Sequence, residues 1–157
     1  MSVMNGLSKQ RGFSLVEVLI ALVIMSVGML GIAGLYVQSL QAGRTSMFRH
    51  QGVSLVGDVA DRIRANPGAG VAYAGIGANN NCVAANIDCD VAGMAGNDIW
   101  VWDMQAVNSL PNGDVVVAFD DTVAPPIYTI TVSWQEPGIT AFDAAPSYTI
   151  TIPVNPF

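Results

Sequence analysis

From Val18 to Val37 the chain carries 20 residues without a charge, VLIALVIMSVGMLGIAGLYV. At 1.5 Å per residue a helix of that length spans roughly 30 Å, the thickness of a bilayer's hydrocarbon core. Lys9 and Arg11 precede the run and no basic residue follows until Arg44, an asymmetry that favours a cytoplasmic N-terminus. A secretory signal is the alternative reading, with Gly31-Ile32-Ala33 as a small-x-small site. Against it, the run exceeds an ordinary signal's apolar region and a further helical pattern follows. Between positions 53 and 63 the apolar residues Val53, Val56, Ala60 and Ile63 recur at three- and four-residue steps. Asp58, Asp61, Arg62 and Arg64 occupy other positions, with Asp58 and Arg62 spaced for an i,i+4 pair. This half of the helix is expected to lay one face on a globular head and to stop at Arg64-Ala65-Asn66-Pro67, because proline disfavours helical geometry before it. The whole predicted helix is roughly 50 residues and about 75 Å long. Gly28, Gly31 and Gly34 lie three apart within it, as points of close helix approach or of local weakening.

Residues 66–97 are rich in Gly, Ala and Asn and follow no period of 2 or 3.6, which predicts a loop. Cys82 and Cys89 fall inside it. A periplasmic head would pair them in a disulfide; a redox role is the weaker reading, since the spacing is not Cys-x-x-Cys. Asp88 and Asp90 flank Cys89 and read as solvated acids, too few for a calcium loop. Asp98 is the expected N-cap of a short helix to Leu110, with Ile99, Trp102, Ala106 and Leu110 on one stripe. Trp100 and Trp102, two apart, make a strand the competing reading. In either case they belong to core packing before a sugar platform. Pro111-Asn112-Gly113 marks a turn. Strands are expected at Asp114–Phe119, Ile127–Trp134 and Tyr148–Val154, the last two sharing Tyr-Thr-Ile-Thr as adjacent antiparallel strands.

Composition narrows the function. Of 157 residues 52% are apolar and 11% charged, with mean hydropathy +0.45, a balance opposite to that of disordered chains. No Lys or Arg follows Arg64, whereas nine of the twelve acids do (Asp88, Asp90, Asp98, Asp103, Asp114, Asp120, Asp121, Glu136 and Asp143). Such a head cannot neutralise phosphates, so direct nucleic-acid binding by it is not expected. One histidine, His50, and two cysteines are too few for a zinc site; no metal and no cofactor are expected. Without His, Lys or Arg in the head, the usual general bases and oxyanion partners are missing. A carboxylate-pair glycosidase is the one enzyme class left open, and the acids look dispersed over loops.

Glu17 is the informative charge. A carboxylate near the end of a membrane segment is costly and is by default a functional hypothesis. A chain cut between Gly12 and Phe13 would carry an ammonium one helical turn before it, for neutralisation within the chain or from a neighbouring subunit. The pairing would fix the axial register of packed helices. A solvated acid at the membrane edge is the alternative. The stretch Lys9-Gln10-Arg11-Gly12-Phe13-Ser14-Leu15-Val16-Glu17 resembles the class III signal of type IV pilins and type II secretion pseudopilins. The resemblance implies cleavage after Gly12 by prepilin peptidase and N-methylation of Phe13. It also implies other minor pilins and the major pilin as partners through the N-terminal helix. Localisation would be the bacterial inner membrane, single-pass with a periplasmic head, and then the pilus. The implied organisation is a leader at 1–12, a transmembrane half-helix at 13–37, an amphipathic half at 38–66 and a head at 67–157. The fold class is α+β, a long N-terminal helix packed on a small antiparallel β-sheet head. Asp61-Arg62-Ile63-Arg64-Ala65-Asn66, Trp102 with Ser109–Gly113, and Tyr128–Trp134 are similar to segments of minor pilins. A non-enzymatic minor pilin is the expected function, with a minor pseudopilin of type II secretion as the alternative.

Overall fold

A computed structural model describes residues 12–83, 88–136 and 145–154. Residues 1–11 of the expected leader, Asp143 and most of the loop after Glu136 lie outside the described residues. The element order is helix α1 (Leu15–Ala65), a 3-10 helix (Pro67–Ala74), helix α2 (Val91–Ser109) and strands β1 (Asp114–Asp120), β2 (Ile127–Ser133) and β3 (Ser147–Pro153). The chain divides into two compact units between Gly43 and Arg44.

In the first unit, α1 starts at Leu15 and its described residues are all exposed. An 18-residue window of this helix has a mean hydropathy of 2.6 and none of it is buried, so the segment is long and apolar enough to cross a membrane. An apolar helix without a protein partner is stable only where something other than water covers it.

In the second unit the rest of α1 joins an antiparallel sheet of order β1-β2-β3. The buried stripe of α1 is Gly52, Leu55, Val56, Val59, Ala60 and Ile63. Val53, expected on that face, is exposed instead; the stripe runs one position earlier, through Gly52, because Trp134 packs there. Tyr73, Ile99, Trp102, Ala106, Tyr128, Ile130, Val132 and Ile152 complete the core. β2 is central and alternates buried and half-buried, as a strand covered on one face should. The repeated Tyr-Thr-Ile-Thr segments lie on neighbouring antiparallel strands, Thr131 opposite Thr149 with their hydroxyls 3.0 Å apart.

Two further expectations need correction. The stretch 66–97 is not one loop: it contains the 3-10 helix and the first turns of α2. Pro67 sits at the first position of that 3-10 helix, where its missing N–H costs nothing. Gly70 adopts φ 50°, and its carbonyl accepts the Tyr128 hydroxyl at 2.8 Å. The second correction concerns Asp98, which lies inside α2 and not at its start. Asp90 is the N-cap, its carboxylate accepting the Gly93 N–H at 2.7 Å. Gly93 and Gly96 weaken the helical signal in this segment and hide the true start.

Candidate assembly site

The N-terminal segment is built around a helix start. Gly12, Phe13 and Ser14 precede α1 in non-helical backbone, and Gly12 and Phe13 are exposed. The Ser14 carbonyl accepts the Glu17 and Val18 N–H groups at 3.1 and 3.3 Å, and its hydroxyl takes the Val16 N–H at 3.4 Å. Ser14-x-x-Glu17 has capping-box spacing, a signal of the helix start that the sequence analysis passed over. Among the described residues the Glu17 carboxylate makes no hydrogen bond or ion pair. It is exposed in the first turn of α1, where the helix dipole favours an acid. Gly28, Gly31 and Gly34 are exposed helical positions with open space where a side chain would be.

Cys82 and Cys89 are joined in a disulfide with Cα atoms 5.7 Å apart. The chain leading into it is tied to α2, since the Asn80 side-chain amide donates to the Gly93 carbonyl at 2.8 Å. Cys82 N–H reaches the Asn97 side chain at 3.4 Å. Asp88 is exposed, while Asp90 is exposed and capping.

Sequence reasoning missed the polar network that holds α1 to the head, and the reading of the head acids as solvated fails for two of them. Asp98 is buried; it accepts Arg62 Nη1 at 3.0 Å and the Tyr73 hydroxyl at 2.9 Å. The Arg62 Nε donates to Asp58 at 3.1 Å, so the expected i,i+4 pair exists but is half of a larger cluster. Burial works against the Arg62 charge, and the two carboxylates more than offset it, so its pKa is raised. Burial also pushes the Tyr73 hydroxyl up. Glu136 is buried as well, accepting Arg49 Nε at 3.5 Å and the Trp134 indole N–H at 3.3 Å. Arg62 and Arg49 lie 36 and 87 residues from these partners, a separation that no local pattern encodes. The Asp98 and Glu136 carboxylates face cations and aromatic donors within the packed head.

The first unit thus presents an exposed apolar helical segment, long enough to cross a membrane, directly after the exposed Gly12–Phe13 junction. Two family models match this chain: the prokaryotic N-terminal methylation motif over residues 7–33 and type IV pilin Tt1218 over residues 34–100. They run without a gap over residues 7–100, and the chain fits a type IV pilin family. No curated protein and no solved structure matches it.

Proposed function

We propose that this chain is a non-enzymatic minor pilin that helps initiate assembly of a type IV pilus and joins the filament. The observation that carries the reading is the methylation motif placed on a helix whose apolar surface is exposed throughout the first unit. In this reading prepilin peptidase cuts between Gly12 and Phe13 and methylates the Phe13 amine. The Glu17 carboxylate then pairs with the Phe13 ammonium, of its own or a neighbouring subunit, and sets axial register. The protein crosses the inner membrane once, with the head in the periplasm, where the Cys82–Cys89 disulfide is maintained. Segments such as Asp61–Asn66, Ser109–Gly113 and Tyr128–Trp134 resemble the minor pilin PilV, which supports a minor rather than a major role.

The test is the amount of surface pilus sheared from a deletion strain, its complemented counterpart and a strain expressing Gly12→Glu. Pili should be lost on deletion, restored by the wild-type gene and not restored by the uncleavable variant. Unchanged pili with a defect in exoprotein secretion would instead establish the pseudopilin role.

A further inference from the structure

Sheet order leaves β1 at an edge. Its backbone direction follows from two bonds flanking the sheet, Trp134 N–H to the Pro146 carbonyl at 3.0 Å and Val154 N–H to the Pro126 carbonyl at 2.7 Å. They continue the β2–β3 register, so even-numbered β2 residues bond to β3 and odd-numbered ones face β1. Because Thr131 pairs with Val116 and Thr129 with Ala118, the N–H and C=O groups of Val115, Val117 and Phe119 point away from the sheet. Among the described residues these outward groups have no backbone partner.

A groove runs along this edge. One cavity of about 280 Å³ lies between Gly75–Gly77 and Gly113–Val115, with Asp103 and Asp114 in its lining. A second, of about 190 Å³, is lined by Tyr73, Trp102 and Val115–Val117. The two share Gly75, Ile99 and Val115, so they adjoin. The charge at the groove is one-sided. The ion pairs of the described residues engage Asp58, Asp61, Asp98 and Glu136, and neither Asp103 nor Asp114 belongs to one. Burial and the neighbouring Asp114 both raise the pKa of Asp103, as uncompensated acids on one groove should.

We propose that this groove receives an extended, basic segment of another protein, which adds as a strand beside β1. It sets a lysine or arginine against Asp103 and Asp114. Strand addition to a free edge supplies backbone hydrogen bonds, and the flanking charges supply selectivity. The head of a second copy does not fit, because no Lys or Arg follows Arg64. The opposite edge, β3, makes a natural control: its outward positions are Ser147, Thr149, Thr151 and Pro153, and the proline lacks an N–H and blunts pairing. The inference rests on head geometry alone and is separable from the assembly role.

The test uses the full chain in detergent micelles with an extended peptide of alternating lysine and valine, and a counterpart of alternating glutamate and valine. The lysine peptide should bind and slow hydrogen exchange at the Val115 and Val117 amides. Asp103→Asn with Asp114→Asn should weaken it by about fivefold or more at low salt, and Val117→Pro should abolish it. Thr149→Pro should bind as the wild type does. If Val117→Pro fails to fold, the two aspartate variants and the exchange pattern still decide the matter. No binding of the lysine peptide, equal binding of both peptides, or protection at Thr149 and Thr151 in place of β1 overturns the proposal.

Discussion

Asp98 and Asp103 sit five positions apart on α2 and meet opposite environments. Asp98 faces Arg62 and Tyr73 in the core, so its burial is compensated. Asp103 is exposed and faces Asp114 with no cation, and partial burial followed by that like charge raises its pKa. The sign follows from linkage. A carboxyl whose folded pKa lies above its unfolded value contributes stability below the unfolded value, about pH 3.9, and loses it as pH rises through the folded pKa. At neutral pH the ionised Asp103 therefore costs stability. Asp103→Asn should raise the urea midpoint of the full chain in micelles at pH 7. The gain is only about a few tenths of a kcal/mol, because solvent screens an exposed group. Below about pH 3.5 the advantage should vanish. An equal gain at both pH values would show that charge is not the cause. The same variant is expected to weaken peptide binding while strengthening the fold, so lost binding could not be blamed on unfolding.

At the scale of elements, α1 contains two glycines with opposite prospects. A Cβ at Gly52 would lie 2.7 Å from the Trp134 ring, whereas Gly57 is exposed with nothing within 4 Å. Alanine gains about 1 kcal/mol of helix propensity at either site. At Gly52 the gain is outweighed, because Trp134 is buried and anchored to Glu136, and overpacking costs about 1–3 kcal/mol. Gly57→Ala should therefore raise the denaturation midpoint and Gly52→Ala lower it; the same sign for both would refute the close approach. The disulfide acts on the loop before α2. With seven residues of sequence separation, its closure is worth about 2–3 kcal/mol. Cys82→Ser should lower the melting temperature of the full chain accordingly while leaving membrane insertion unchanged. An unaltered melting temperature would show that the bridge is no staple. The regular elements were legible where one period dominated: the apolar run of α1, the Ile99-Trp102-Ala106-Leu110 stripe and all three strands within a residue at either end. Legibility failed where glycine diluted the period, at the start of α2. It failed too where a buried acid finds its cation far along the chain, as Asp98 and Glu136 do. Val53 was misplaced because Gly52, silent in a hydrophobic count, is the residue that lets Trp134 in.

At the scale of the whole molecule, charge is distributed by function. Between Val18 and Gly43 there is none, and Glu17 stands alone at the start of that stretch. An acid there gains from the first-turn dipole by about 0.3–1 kcal/mol, less than the cost of moving it toward the bilayer centre, about 2.5–3.5 kcal/mol. The local helix dipole therefore does not offset that cost, whereas in the proposed reading an ammonium created by cleavage at Phe13 would. Glu17→Ala keeps the Gly12–Phe13 junction and the Ser14 cap, so leader removal should proceed as in the wild type. Without the carboxylate, each Phe13 ammonium would be left unpaired among apolar helices, and entry of the subunit into the filament should fall by tenfold or about 1.4 kcal/mol. Immunoblots comparing processed protein in membranes with protein in sheared pili separate the two steps. Normal processing with reduced incorporation is the expected pattern. Wild-type incorporation would remove the register role from Glu17, and failed processing would move that role to peptidase recognition.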